Sequence, residues 1–466
     1  MIKLKIVDVP IIVVCYNNYI YVENTLKQIK KLNPTYYSNT IIMDNCSTCK
    51  DTIAFLNHVD VQVIRRESNE GPRIDRNKNS DVYNLLPSKF ILTDPDLELN
   101  PNLPSNFIDV MVELSDKYKT EKIGFALDIS DFGKMFQSDQ YFSKLNIYDW
   151  EMNFWKNKII DDKYELYKSD IDTTFCLYNK LGNVENHIRI AGDFTAKHLP
   201  WYTHSKYFSF YQLLSMYNQQ THISTIKKIF LSYVNDNFLN VTKGDEQFLV
   251  PKHNNQNIKF WQNHFSRWEE ETFVVFDKYL DKNKIFIDIG AWIGTTALYG
   301  SRKSKHVYCI EADKKSFDDL SENMKNNCEK NYTLINKAIY EIDNISVNFG
   351  KNSFLKNSKL NDSTSHIQTN HKTKDDNYMI ETITIESLIS QYNINPNEIS
   401  LIKVDIEGGE ENILRQMYSI HKAHNINVYI SFHYTWWIDK NLDRFEFLTD
   451  AQKTHIIKHP FCSILL

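Results

Sequence analysis

Glycine and proline are scarce in this 466-residue chain, at 12 and 11 residues, which excludes collagen-like, fibrous or linker-dominated sequence. Cysteine is sparse as well. The seven residues, at positions 15, 46, 49, 176, 309, 328 and 462, are odd in number and scattered. That excludes a disulfide scaffold and fits a reducing compartment, so a cytoplasmic location is expected. Long apolar runs are missing: the stretch from Val9 to Cys15 falls far short of the ~20 residues of a membrane span. Asp8 and Pro10 interrupt the N-terminal apolar segment and no small-residue cleavage site follows, so no secretory signal is expected and the protein reads as soluble. A basic excess is missing too. Residues 1–235 carry 27 Lys and Arg against 28 Asp and Glu, residues 236–466 carry 27 against 31, and the net charge is −5. Neither half can neutralise a phosphate backbone, so nucleic acid is not expected as a partner. What is present is a globular composition, 42% hydrophobic and 24% charged, in a chain long enough for two or three domains.

Two segments each open with an apolar strand that runs into a polar or glycine-bearing turn: Ile11 to Val14 before Cys15-Tyr16-Asn17-Asn18, and Lys284 to Ile287 before Asp288-Ile289-Gly290. Strand and helix patterns then alternate, which predicts two parallel α/β sheets. The first series has a helix over Tyr21–Leu32 and strands over Thr40–Asp44, Val61–Arg65 and Lys89–Thr93. The second has a strand over Val307–Glu311, a helix over Lys315–Asn326, a strand over Leu401–Ile406 and a helix over Glu410–Tyr418. Residues 205–280 are aromatic with a helical pattern. The domain boundary is placed near 235, giving domains 1–235 and 236–466. Residues 351–377, rich in Asn, Ser, Thr and Lys, predict a long loop or an insertion.

In the first half, Phe90-Ile91-Leu92-Thr93-Asp94-Pro95-Asp96 is an apolar strand delivering two carboxylates at i and i+2. An Asp-x-Asp tripeptide alone means little, and Asp170-Ile171-Asp172 is a second one. Here Pro95 stops the strand where the carboxylates emerge, and oxygen ligands at a strand end suit Mg²⁺ or Mn²⁺ holding a diphosphate. With its neighbours the motif resembles a GT-A nucleotide-sugar glycosyltransferase of the family-2 type over residues 10–202. The matching pieces are Pro10 to Asn18, Ile41 to Thr48, Asn69-Glu70-Gly71-Pro72-Arg73 with Arg76-Asn77, Asp94-Pro95-Asp96, and His198-Leu199-Pro200-Trp201-Tyr202. The resemblance implies a UDP- or GDP-sugar donor bound by Asn17, Asp44, Arg73 and Asp94, with a divalent metal on Asp94, Asp96 and His198. His198 has a second reading, as a histidine packed among Pro, Trp and Tyr. An inverting transfer needs a carboxylate base for the acceptor hydroxyl. The late Glu-Asp motif typical of the family is not found cleanly, which leaves Asp172, the preferred candidate, and Glu151. Cys46-Ser47-Thr48-Cys49 has no second cysteine pair nearby and fits the nucleotide turn better than a redox or zinc site.

In the second half, Phe286-Ile287-Asp288-Ile289-Gly290-Ala291-Trp292-Ile293-Gly294 runs a strand into Asp-x-Gly-x-x-x-Gly. The glycines Gly290 and Gly294 allow the backbone to approach a ligand that a Cβ would block. Trp292 stands where a pyrophosphate-binding fingerprint needs glycine, so S-adenosylmethionine fits better than NAD. Glu311, 23 residues after Asp288 at the next strand end, is placed to accept hydrogen bonds from ribose hydroxyls. Together with Leu401-Ile402-Lys403-Val404-Asp405-Ile406-Glu407-Gly408-Gly409-Glu410, the segment resembles an FkbM-family methyltransferase over roughly residues 240–440. The resemblance implies a Rossmann-like class I fold, S-adenosylmethionine, and O-methylation of small molecules or glycans. Asp405 and Glu407 leave a strand end where ligands of open α/β sheets sit, and Glu410 starts the following helix, either as a further site acid or only as a helix-dipole residue. His433, after another apolar strand, is a candidate base or a satisfied structural histidine.

The expectation is therefore a two-domain α/β enzyme, a GT-A glycosyltransferase fold joined to a Rossmann-like methyltransferase fold. It would act on a glycan or glycoconjugate acceptor in an unspecified oligomeric state. The rivals are a chain with one active half and one docking half, a sugar-phosphate nucleotidyltransferase, and an RNA methyltransferase. The turn Cys15-Tyr16-Asn17-Asn18 lacks the glycine-rich basic loop of the second, and the acidic balance opposes the third.

Overall fold

The computed structural model describes residues 9–74, 81–137, 141–142, 144–172, 174–202, 206–220, 224–253, 256–350, 365–367 and 377–466. The chain divides into two compact units, Met1–Val234 and Asn235–Leu466. Each is an α/β structure around its own sheet. Among the described residues no helix is long and apolar enough to cross a membrane. All seven cysteines are free thiols.

The first unit contributes β1 (Ile11–Cys15), β2 (Thr40–Asp44), β3 (Gln62–Arg65), β4 (Lys89–Thr93), β5 (Leu97–Leu99), β6 (Thr120–Phe125), β7 (Lys158–Ile159), β8 (Leu166–Lys168), β9 (Cys176–Asn179), β10 (Asn183–Ile190) and β11 (Ala196–His198). Nine of these form one sheet in the order β3-β2-β1-β4-β9-β6-β10-β8-β7. β3, β2, β1 and β4 run parallel, and β9 enters antiparallel between β4 and β6. β1 and β2 are buried at every position, as their unbroken apolar runs require of strands covered on both faces. β5 and β11 make a separate antiparallel pair in which His198 stands opposite Leu97. The backbone N–H of Leu199 donates to the Asp96 carbonyl at 2.8 Å. That pairing is what draws the distant His198 segment onto the Asp94-Pro95-Asp96 turn.

The second unit opens with a hairpin, β12 (Phe238–Lys243) and β13 (Glu246–Pro251), in the stretch whose pattern reads as helical. Helices flank it at Thr225–Asn237 and Glu270–Tyr279, but its own signal is the alternation of Val241, Phe248 and Val250 into the core. The main sheet follows: β14 (Ile285–Ile289), β15 (His306–Ile310) and β16 (Tyr332–Ile335). A small sheet of β17 (Ala338–Ile339), β18 (Ser346–Gly350), β19 (His366–Ile367) and β20 (Asn377–Ile383) comes next, and β21 (Ile399–Val404), β22 (Asn427–Ser431) and β23 (Ser463–Leu465) complete the main one. Its order is β16-β15-β14-β21-β22-β23, parallel except for β23. Most of the expected insertion at 351–377 lies outside the described residues.

Strand periodicity sorts this sheet's two cores. Ile285, Ile287 and Ile289 face a cluster with Leu388, Leu414 and Met417, while Phe286 faces another with Phe276, Leu298 and Leu320. With both faces buried, the polar groups of the unit concentrate at the C-terminal strand ends. The strand order reverses between β14 and β21, which places the crevice where open α/β sheets bind ligands at those ends.

Candidate functional sites

In the first unit a single cleft of about 1290 Å³ is walled by Arg73, Asp94, Asp96, Glu151, Asp172 and His198. Six residues named from the sequence therefore face one space, although they come from five separate segments. Asp96 Oδ2 lies 3.3 Å from His198 Nε2. Burial works against a charge on His198, and the Asp96 carboxylate, with Asp94 and Glu151 behind it, raises its pKa nonetheless. Asp96 Oδ1 and His198 Nδ1 are both buried without a hydrogen-bond partner.

Glu151, at the end of the helix Ile147–Glu151, is 2% exposed and pairs with Arg189 of β10. Burial pushes its carboxyl up to about 7, with Arg189 acting in the other direction. Arg189 also donates from Nε to the Asp170 carbonyl at 2.9 Å and lies over the Phe154 ring. Asp172 sits differently, at a side-chain exposure of 62% and in an ion pair with Arg73. Arg189 was missed by sequence reasoning, although an arginine between Ile188 and Ile190 in a strand is itself a signal.

Two expected ligands of this half do not reach the cleft wall. Asn17 is 1% exposed and its Oδ1 accepts from the backbone N–H groups of Thr48 and Cys49, both at 2.8 Å. Asp44 is 4% exposed and accepts from Ser47 N at 3.1 Å. Each ties the turn after its strand, and their neighbours Tyr16, Asn18 and Asn45 line the cleft instead.

In the second unit a cavity of about 250 Å³ opens at the C-terminal ends of β14, β15, β21 and β22. Gly290, Glu311, Asp405, Glu407 and His433 line it, and Asp288 and Gly294 do not. Asp288 is fully buried behind the wall, accepting from Thr296 Oγ1 at 2.7 Å, with its Oδ1 3.4 Å from Lys403 Nζ. Gly290 is needed for a reason other than ligand approach. At φ +77° a Cβ there would lie 1.7 Å from the Asp405 carbonyl oxygen, so the close neighbour is the end of β21.

Glu311 has one carboxylate oxygen on Trp292 N at 2.8 Å and the other on Asp313 N at 2.7 Å. Burial pushes it up to about 7, against those two hydrogen bonds. It lines the cavity beside Trp292, Ile310 and Ala312.

The opposite electrostatic pole is a group the sequence showed only in part. Lys403, the lone charge in an apolar strand, is 2% exposed and reaches Asp288, Asp405 Oδ2 at 3.5 Å and the Gly290 carbonyl at 3.1 Å. Burial opposes its charge, but Asp288, Asp405 and Glu269 outweigh burial and raise its pKa. Glu410 opens the helix Glu410–His424, as expected, but it is also fully buried and accepts from Gly408 N and Trp437 Nε1, with His433 Nδ1 3.0 Å away. Burial works against the imidazolium of His433, yet Glu410 and then Glu407 raise its pKa to about 10. Burial is also the main cause that pushes Glu407 up to about 9, and Glu269 to about 7.

Among the described residues, the side chains of one group of three, Asp405, Glu407 and His433, bring ligand atoms within 4.8 Å of one another. The expected metal ligands Asp94, Asp96 and His198 share a cleft without closing to that distance.

The comparisons bear on the second unit. Residues 288–453 match the family model described as the methyltransferase FkbM domain. The second unit is methyltransferase-like in fold. Among solved structures, the chain is similar to an FkbM methyltransferase from Methylobacillus flagellatus KT, at 15% identity and a TM-score of 0.25. The match covers 51% of this chain and 51% of that one. A mannosyltransferase from Pyrobaculum calidifontis, solved with GDP-Man and Mn²⁺, is similar at 18% identity and a TM-score of 0.21, over 27% of this chain and 37% of that one. A precorrin 8w decarboxylase from Methanobacterium thermoautotrophicum is similar at 13% identity and a TM-score of 0.22, over 38% and 67%. TM-scores this low place no residue and assign no activity. No curated protein sequence matches the chain.

Proposed function

We propose that the chain is a bifunctional enzyme of glycan assembly. Its second unit transfers a methyl group from S-adenosylmethionine to a sugar hydroxyl. Its first unit, with a GT-A fold, transfers a sugar from a UDP- or GDP-sugar with a divalent metal. The FkbM domain match supports methyltransferase activity. The sugar acceptor, the donor and the metal are proposals resting on the site residues.

The observation that carries the methyl-transfer reading is the cavity that joins Glu311 to Asp405, Glu407 and His433. S-adenosylmethionine, when bound, supplies an activated methyl group. Glu311 accepts hydrogen bonds from ribose hydroxyls, Trp292 and Ile310 supply apolar wall, and Lys403 holds the ends of β14 and β21 in place through Asp288 and Asp405. The group Asp405, Glu407 and His433 receives the acceptor hydroxyl. In the first unit, the cleft gathering Arg73, Asp94, Asp96 and His198 supports diphosphate binding. A divalent metal there neutralises the leaving diphosphate. For the acceptor proton, Glu151 now stands ahead of Asp172: a buried carboxyl raised to about 7 suits a base working near neutrality, whereas Asp172 is spent on Arg73 at an exposed rim.

The test uses the full chain with Mn²⁺ and a panel of nucleotide-sugars, read by mass for hydrolysis or transfer, followed by S-adenosylmethionine with the glycosylated and the unglycosylated acceptor. Transfer followed by preferential methylation of the glycosylated product is expected. Equal methylation of both acceptors would separate the two activities into different pathway steps. No turnover of any nucleotide-sugar would leave the first unit as a docking module.

A further inference from the structure

We infer that Asp405, Glu407 and His433 form a divalent-metal site in the methyltransferase unit, open to the cavity and able to take an acceptor hydroxyl as a further ligand. The acceptor role rests on the methyltransferase reading; the metal binding does not.

The topology builds the site from two adjacent parallel strands. Asp405 and Glu407 follow β21 at i and i+2, and His433 follows β22 by two residues, so all three side chains start from the same sheet edge. His433 Nε2 lies 3.2 Å from Glu407 Oε2 and 3.8 Å from Asp405 Oδ1. Donors about 2.0–2.2 Å from one ion stand about 3.0–3.5 Å apart, so these separations need only a small closure.

The hydrogen bonds turn one imidazole nitrogen of His433 toward the two carboxylates. Glu410, fully buried, is the partner of His433 Nδ1, which leaves Nε2 as the imidazole atom turned to the two carboxylates. Glu407 Oε2, the nearer of them, is buried and accepts no hydrogen bond, despite its 3.2 Å approach to Nε2. Protonated on both nitrogens, His433 itself carries the positive charge that faces the two carboxylates, and a bound cation would take the place of its Nε2 proton. A histidine oriented by a buried carboxylate on its other nitrogen is the usual outer support of a metal ligand. Lys403 does not supply that charge, since it is already engaged with Asp288 and the other oxygen of Asp405.

One imidazole nitrogen and two carboxylate oxygens favour Mn²⁺, Fe²⁺ or Zn²⁺ over Ca²⁺. All three side chains line the same cavity as Glu311, so coordination positions left over point into the space where the methyl acceptor would sit. Two neighbouring hydroxyls, as in a sugar diol, are the ligand chemistry such positions accept.

The experiment is Mn²⁺ titration of the full chain after chelator treatment, with free Mn²⁺ read by electron paramagnetic resonance. Asp96→Asn serves as the background, because it removes the ion proposed for the first unit. In that background one Mn²⁺ per chain is expected, with imidazole nitrogen coupling in the pulsed spectrum. Adding Glu407→Gln should weaken binding at least tenfold, and adding His433→Gln should abolish the nitrogen coupling. Should either variant fail to fold by circular dichroism, Asp405→Asn is measured in its place with the same tenfold loss expected. Absence of Mn²⁺ binding to the Asp96→Asn chain, or binding indifferent to these substitutions, overturns the site. Calorimetry with S-adenosylmethionine on the same metal-free sample keeps the two readings apart. Cofactor binding without Mn²⁺ binding removes the metal site alone, and Mn²⁺ binding without cofactor binding removes the methyltransferase reading alone.

Discussion

Glu311→Gln is the substitution in which cofactor binding and stability should move apart. In the wild type both carboxylate oxygens accept a backbone N–H, from Trp292 and Asp313, and burial raises the carboxyl from the ordinary 4.5 to about 7. The folded chain thus holds this proton up to about pH 7, whereas the unfolded chain releases it near 4.5. Between those values the folded state binds more protons, so this group's contribution to stability falls as pH rises from about 4.5 to about 7. Above that window the buried charge costs on the order of 3 kcal/mol, and below it nothing. Glutamine cannot ionise and so escapes the cost, but its NH₂ must face one of the two backbone donors, which loses about 1–3 kcal/mol. At pH 8 the two effects offset, and the variant should be as stable as wild type or slightly more so. At pH 5 it should be less stable by the lost hydrogen bond. Affinity for S-adenosylmethionine at pH 8 should nonetheless fall by about 1–3 kcal/mol, a factor of roughly 5–150, because the ionised acceptor of the ribose hydroxyls is gone. Wild-type affinity should also rise with pH through about 7, and the variant's should not. Thermal unfolding at pH 5 and pH 8 with calorimetry at both values gives all four quantities. An affinity at pH 8 within twofold of wild type refutes Glu311 as the ribose residue, and a stability difference that does not change with pH refutes the electrostatic argument.

Asp96→Asn should lower nucleotide-sugar turnover by about a hundredfold or more with Mn²⁺ present, and turnover unchanged by the substitution or by excess chelator would count against metal dependence. Glu151→Gln should abolish transfer while nucleotide-sugar binding persists, and should remove the rise of wild-type rate with pH through about 7; Asp172→Asn showing that pattern in its place would return the base to Asp172. Gly290→Ala should destabilise the second unit by about 3 kcal/mol or more, seen as a lowered unfolding temperature, because its Cβ would meet the Asp405 carbonyl in a left-handed backbone conformation. The double variant Asp96→Asn with Glu407→Gln should bind Mn²⁺ at least tenfold more weakly than Asp96→Asn alone.

Much of the local structure was legible in the sequence, because its causes are local. Unbroken apolar runs became the buried strands β1, β2, β4, β14 and β21, and the amphipathic patterns around Tyr21–Leu32 and Lys315–Asn326 became helices with ends shifted by a residue or two. The motif Asp94-Pro95-Asp96 announced itself by chemistry at a strand end. What the local pattern did not determine was which way a turn residue points. Asn17, Asp44 and Asp288 carry the right chemistry at the right strand ends, and each is consumed by backbone donors or a buried partner, with neighbours left to form the wall. The direction of a side chain in a tight turn is set by what else must be satisfied there, and those partners come from other segments. The hairpin β12–β13 was hidden for a related reason, since its aromatic-rich flanks are helical and its alternation spans only six residues a strand. The groups that tertiary structure alone decided are Glu410, Lys403 and Arg189, buried charges that each meet a counter-charge 23 to 115 residues away. A buried charge is tolerable only beside its counter-charge, and sequence spacing carries no record of that meeting.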